Sequence, residues 1–455
     1  MDHSDAIPGG KLPLKQKLLY GTGDISVSVP LAILMFFQLY FLTDVAGLNP
    51  AHAAWAVMIG RVWDAVNDPW FGIISDRFRT RWGRRRVILL FGAVPLGVGF
   101  MLMWQVPALP EFYLTAYYTL TFIVFNTAFT FIRLGYYALL PELTSDYDER
   151  VNLNAYLMFY SICGSIGSII FVTILGWYVT EPRSLYSIIG VALGALVILP
   201  PFIVFNVTRE PRRDHEPPPL PFWAAVKATL TNRLFWRVMV IYTLSWTTVS
   251  IIAANLIYFI TYYFQIPEQS SYFVLVAQGA ALVFIPVWVW ITKKLDKRKA
   301  FMLGMGYWTL ILLAISTLRP GQVILAYLLS LLSGAGIANA YVLPWSMIPD
   351  VVEQDRLDTG QRREGSYYAF ASFSQKLATG AALWVMGQAL ALVGYINPVD
   401  GAAYMNQPEN VNAVIRLFMG PVPALFLIAA LIVAWRYPVT REKHLEMRDK
   451  ITAAG

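Results

Sequence analysis

Asp64 and Asp68 lie in the apolar stretch from Ala51 to Ile74, which is long enough to cross a bilayer. A carboxylate at the centre of a spanning helix costs roughly 2.5–3.5 kcal/mol on insertion scales. Arg61, Asp64 and Asp68 follow three-and-four spacing and so share one helical face. Two ionised carboxylates this close repel, and they require a bound cation, a proton or a basic partner. Asn67 stands beside them with a carbonyl oxygen to offer. Alkali cations are hard and take oxygen ligands, so two carboxylates with an amide or hydroxyl make a Na⁺ site. The same pair can instead carry a proton. Arg61 alone cannot neutralise two carboxylates, which counts against a purely structural ion pair.

Other polar residues interrupt other apolar runs. Thr130 and Arg133 sit one turn apart; the hydroxyl is a further candidate cation ligand, or it back-bonds to its own helix. Arg133 needs an acidic partner or a wet cavity. Asp24, Asp64 and Asp68 qualify, as does an anionic substrate. Asp24 and Ser28 share a face, and Asp24 is either a substrate carboxylate or a helix-end acid. Lys376, in SFSQKLATG, either snorkels or faces a cavity as a partner for Asp64 or Asp68. Most aromatic residues suit an interfacial belt or the core. Tyr136, Tyr137 and Trp345 lie near the candidate site residues and could line a ligand cavity.

The elements that must position these residues are membrane helices. The chain has 455 residues, 57% hydrophobic and 14% charged, with a mean hydropathy of +0.53. Soluble domains carry about 25% charged residues. Apolar run lengths predict an all-α protein with twelve spans near 17–44, 51–76, 86–107, 111–140, 151–179, 184–207, 233–264, 270–292, 300–318, 321–348, 364–396 and 411–436. The first residues lack a signal-peptide pattern, so the first apolar run is expected to belong to the mature fold. A single cysteine, Cys163, forbids an intramolecular disulfide. His3, His52, His215 and His444 are expected in termini or loops, which counts against a helix-borne zinc site.

The loops after the even-numbered spans hold most of the Lys and Arg, as do both ends of the chain. By the positive-inside rule both termini are expected in the cytoplasm, with the protein multi-pass in the cell membrane. The net charge of +7 is therefore a matter of topology and lipid headgroups, with no nucleic-acid partner. A cytoplasmic central loop, 208–232, separates an N-terminal six-helix bundle (1–207) from a C-terminal one (233–436), followed by a tail (437–455). LLPELTSDYDER, ending the fourth span, is echoed by MIPDVVEQDRLD at the end of the tenth. A six-plus-six parallel repeat is how two-bundle secondary transporters are built, with a midplane site between bundles. Asp76 and Arg77, with Gly72 before them and Gly83–Arg86 after, are either a cytoplasmic gate or a topogenic loop.

Three segments carry a resemblance. YGTGD…FFQLYFLTDVAGL, IGRVWDAVNDPWFGIISDR…RWGRRR and YYALLPELTSDYDER resemble the glycoside–pentoside–hexuronide:cation symporters, the melibiose-permease branch of the major facilitator superfamily. The likeness runs from about Tyr20 to Tyr395. It implies that Asp64 and Asp68 hold Na⁺, Li⁺ or H⁺, with Asn67 and Thr130 as further ligands and Lys376 as the helix 11 lysine. The sugar half departs: Ser28 and Arg133 stand where the branch has sugar-binding aspartates. Met158 replaces an arginine, and Tyr137 a tryptophan. Animal sodium-dependent lysophospholipid symporters share the first two segments and also lack both aspartates.

The expected function is secondary active symport, in which Na⁺ or H⁺ drives import of a sugar or glycoside-type solute by alternating access. The runner-up substrate is a lysolipid or other anionic amphiphile held by Arg133. A transport-incompetent sensor on the same fold is the competitor from another class. No nucleophile–base pair points to an enzyme, and no cofactor beyond the coupling ion is expected. The chain is expected to act as a monomer among membrane lipids.

Overall fold

The computed structural model describes residues 12–77, 80, 82–83, 85–144, 146–209, 229, 231–359, 364–398, 406–439 and 446. Every regular element among them is helical. We number the long helices α1 (Leu14–Val45), α2 (Pro50–Arg77), α3 (Arg86–Met103), α4 (Glu111–Leu143), α5 (Tyr147–Tyr178) and α6 (Pro182–Val207). The second set is α7 (Arg233–Tyr263), α8 (Ser270–Leu295), α9 (Lys297–Ser316), α10 (Val323–Thr359), α11 (Glu364–Leu392) and α12 (Glu409–Trp435). Ten of them are long and apolar enough to cross a membrane by composition. The exceptions are α2 and α11, whose apolar character is diluted by Arg61, Asp64 and Asp68 in one and by Gln375 and Lys376 in the other.

The chain divides into two compact units, Met1–Pro217 with Asn397–Ala403, and Pro218–Ile396 with Tyr404–Gly455. Within the first, α2 packs on α4, α3 on α4 and α6, and α1 on α5 and α6. Within the second, α8 packs on α10, α9 on α10 and α12, and α7 on α11 and α12. The same pairing scheme is thus built twice. Both opening helices also end in a π turn, at Phe41–Val45 and Phe259–Tyr263.

The echoed Pro–acid motifs occupy matching places. Pro141 and Pro349 are carried inside α4 and α10. Glu142 lies 3.8 Å from Arg85, just ahead of α3. Asp350 lies 2.6 Å from Lys297, at the start of α9. Side chains close several helix starts: Asp146 accepts from the Glu149 amide, Asn232 from Leu234 and Phe235, and Asp296 from Lys299. Glu181 accepts from Arg183 and Ser184 ahead of Pro182, whose missing N–H costs nothing at that position.

Some expected boundaries move. The loop expected after 348 is helical to Thr359, because Pro349 sits inside a helix already built. The last span is broken at Gly420, between Glu409–Met419 and Pro421–Trp435. His52 is not in a loop: it lies in the first turn of α2, with Nδ1 2.9 Å from Glu111. His3, His215, His444, most of 208–232 and most of the tail lie outside the described residues.

Candidate functional site

Two helices of the first unit meet along a line of polar residues. Gly60 permits the approach: a Cβ there would stand 1.9 Å from the Phe122 ring. Asn126 donates to the Gly60 carbonyl (3.2 Å), and Trp63 Nε1 donates to Thr127 (2.9 Å). These contacts fix α2 against α4 one turn away from the acids.

Asp64 is 3% exposed, and Asp68 is 19% exposed. Thr130 Oγ1 lies 3.3 Å from Asp64 Oδ1 and 3.0 Å from Asp68 Oδ1. Three oxygens from two helices therefore converge. A hydroxyl has one proton and satisfies one carboxylate at a time. Asn67 is buried, and its Nδ2 has no hydrogen-bond partner among the described residues. Oxygen and nitrogen of an amide exchange places on a flip, so Asn67 can turn an oxygen toward that unpaired position. The donor set is oxygen throughout, as a hard monovalent cation requires.

Arg133, three residues after Thr130 on α4, places Nη2 2.7 Å from Asp68 Oδ2. Of the partners weighed for it, the structure selects Asp68. Arg61 is not paired with either acid by a hydrogen bond through its buried Nε; its guanidinium lies 5.9 Å from the Phe122 ring centroid.

The residues around Asp24 form a closed cluster. Asp24 is 1% exposed, and its Oδ1 accepts from the Tyr137 hydroxyl at 2.8 Å. Ser28 donates to the Asp24 backbone carbonyl (2.8 Å), so its hydroxyl is spent within its own helix. Tyr136 is fully buried and donates to the Tyr20 carbonyl, while Tyr20 donates to that of Tyr136. This reciprocal pair braces the short 3₁₀ turn at Thr22–Asp24 and leaves Tyr136 no cavity to line. Tyr137 is 40% exposed.

Lys376 and Trp345 belong to the second unit. Lys376 is buried in α11. Trp345 is exposed and lies within an aromatic row, 5.5 Å from Tyr242 and 5.3 Å from Tyr368; beyond Tyr242 the row continues through Trp246 to Tyr341. Asp76 and Arg77 close α2, and their side chains lie outside the described residues. Sequence reasoning missed Gly60 and Asn126. Asn126 sits one turn before Thr130, so the spacing 126, 130, 133, 137 along one face of α4 was available as a signal.

Comparison with known proteins gives the family and the fold. The model of the MFS/sugar transport protein family matches residues 19–441. An uncharacterized symporter of Synechocystis sp. is 33% identical, over 99% of this chain and 98% of its own. The sodium-dependent lysophosphatidylcholine symporter 1 of Gallus gallus is 25% identical, over 97% of this chain and 89% of its own. YagG of Escherichia coli, a candidate glycoside/cation symporter by name, is 27% identical, over 94% and 93%. The nucleoside transporter NupG has a similar fold, with a TM-score of 0.66 at 14% identity over 93% of this chain and 99% of that one. These are transporters, not enzymes. The chain belongs to the MFS/sugar transport family and has the all-helical major facilitator fold.

Proposed function

We propose that the protein is a cation-coupled symporter that uses Na⁺ or H⁺ to import a sugar or glycoside-type solute by alternating access. It does so in a cell membrane with both termini in the cytoplasm. The single observation that carries the coupling half is Thr130 between Asp64 and Asp68. Thr130 has one proton for two acids, and a small cation that displaces Arg133 from Asp68 completes the oxygen set. Asp64, Asp68, Thr130 and a flipped Asn67 are its ligands.

Arg133 gives the coupling its logic. Without a cation, its guanidinium neutralises Asp68. A cation on Asp68 competes for the same carboxylate and releases Arg133. Ion and substrate then act on one another through that residue, and the effect is reciprocal.

The sugar reading is supported by the family and by the relative named as a glycoside/cation symporter. A second reading is favoured by Arg133 itself, which is 21% exposed. Released by the cation, it is a partner for an anionic head, as in a lysolipid. A thermal-shift screen of purified protein with glycosides, uronates and lysophospholipids, with and without Na⁺, tests both readings. Stabilisation by a glycoside that grows with Na⁺ supports the first. Stabilisation by lysophospholipids alone replaces it with the second.

A further inference from the structure

Asp24 is the most enclosed of the described acids of the first unit and takes no part in the cation set. The backbone around it is closely packed. A Cβ on Gly23 would stand 2.4 Å from the Tyr136 ring, and one on Gly21 would stand 2.7 Å from the Tyr160 ring. One on Gly164 would stand 2.4 Å from Ser28 Oγ. Asp24 Oδ1 has the Tyr137 hydroxyl, but Oδ2 is buried with no hydrogen-bond partner among the described residues. No cation faces it. From α1 it meets Tyr20; from α4, Tyr136 and Tyr137; from α5, the Ser161 hydroxyl. The stretch of α6 packed beside this turn, 190–207, contains no titratable residue.

An isolated carboxylate in such a place is costly, and a neutral acid is far less so. A proton needs no volume, and the Ser161 hydroxyl beside Asp24 can accept from a protonated carboxyl as well as donate to the anion. The site also has an outlet. Tyr137 seals Asp24 from one side and is itself 40% exposed. Tyr137 hydrogen-bonds Asp24 and sits one turn along α4 from Arg133, which holds Asp68. Thr130, Arg133 and Tyr137 share one face of α4. The order Asp64–Thr130–Asp68–Arg133–Tyr137–Asp24 is linked by hydrogen bonds at each step but Arg133–Tyr137, which are one helical turn apart.

We infer that Asp24 is a proton-binding site beneath Tyr137, coupled through Arg133 to the Asp64–Asp68 pair, so that cation loading expels its proton. The coupling half rests on the symport reading above; the proton site itself does not. The sign follows from charge. A cation on Asp68 leaves the Arg133 guanidinium uncompensated beside Tyr137, and added positive charge favours the Asp24 anion. The proton leaves past the Tyr137 hydroxyl to solvent. Reciprocally, a protonated Asp24 weakens cation binding.

Infrared difference spectroscopy on the full-length protein in lipid nanodiscs tests this, starting in choline chloride near neutral pH. The expected result is a protonated-carboxyl carbonyl band that Asp24→Asn lacks and that fades when NaCl is added. Asn mimics the neutral acid in shape, so this variant keeps the closed cluster. Tyr137→Phe leaves the carboxyl in place and is expected to keep the band while slowing its loss on NaCl addition. A band spectrum identical in wild type and Asp24→Asn overturns the proton site. An Asp24 band unmoved by NaCl, in protein that NaCl stabilises thermally, overturns the coupling and leaves the symport reading standing. Absence of any NaCl response, with the Asp24 band intact, removes the Na⁺ arm of the symport reading and the coupling, and upholds the proton site.

Discussion

Arg133 Nη2 lies 2.7 Å from Asp68 Oδ2, on the carboxylate whose other oxygen faces Thr130. The guanidinium thus occupies half of the group that a cation would use. Arg133→Gln should remove the competitor and tighten Na⁺ binding by about tenfold, equivalent to roughly 1.4 kcal/mol. The same variant should melt at a lower temperature without Na⁺, because Asp68 is left without its counter-charge. Calorimetric Na⁺ titration and thermal unfolding with and without Na⁺ check both signs.

Thr130→Val keeps the shape of the side chain and removes the hydroxyl. Both carboxylates then lose the donor they share. Na⁺ affinity should fall by about tenfold, equivalent to roughly 1.4 kcal/mol, since the cation loses one of its oxygen ligands. Thr130→Ser should bind close to wild type. Equal affinity for the Val and Ser variants would remove the hydroxyl from the site.

Much of this arrangement was legible in the sequence, because helical spacing is rigid. Residues 61, 64, 67 and 68 had to crowd one side of a span, and acids at membrane depth advertise themselves. What pairs with what was less legible. Arg133 had three acidic candidates, and only the register of α4 against α2 selects Asp68. That register depends on Gly60 meeting Phe122, a steric fit with no signature in charge or period. The closure of Asp24 was equally hidden. It depends on two adjacent tyrosines turning different ways, Tyr136 to the Tyr20 carbonyl and Tyr137 to the carboxylate.

Gly60 supplies a test of that register. Gly60→Ala places a methyl carbon inside the Phe122 ring's space and disturbs the Asn126 bond to the Gly60 carbonyl. Overpacking of this kind costs about 1–3 kcal/mol. Both thermal stability and Na⁺ affinity should drop, and Phe122→Leu in the same chain should restore part of each. A double variant no better than Gly60→Ala would show that the contact does not set the site.

In the second unit Asp350 is buried, with Lys297 at 2.6 Å and the Tyr437 hydroxyl at 2.9 Å. Lys297→Ala removes an ion-pair partner from a buried acid. Breaking a fully buried pair costs about 3–5 kcal/mol, and the 29% exposure of Lys297 lowers the expected loss to about 1–3. Tyr437→Phe should cost about 1 kcal/mol. Thermal unfolding in detergent reads both, and Lys297→Ala should be the less stable of the two.

The central claim is that α2 carries the coupling ion. At an effective dielectric of about 20, one charge pair at contact distance is worth roughly 4 kcal/mol before desolvation. Asp68→Asn keeps the shape of the side chain and subtracts one charge, so coupling should collapse even where substrate still binds. The decisive measurement is uphill accumulation, driven by an imposed Na⁺ or H⁺ gradient, in vesicles reconstituted with Asp68→Asn protein and supplied with the solute that the thermal-shift screen identifies. The account predicts none above the empty-vesicle level, against clear accumulation by wild type. Robust gradient-driven accumulation by Asp68→Asn would contradict it.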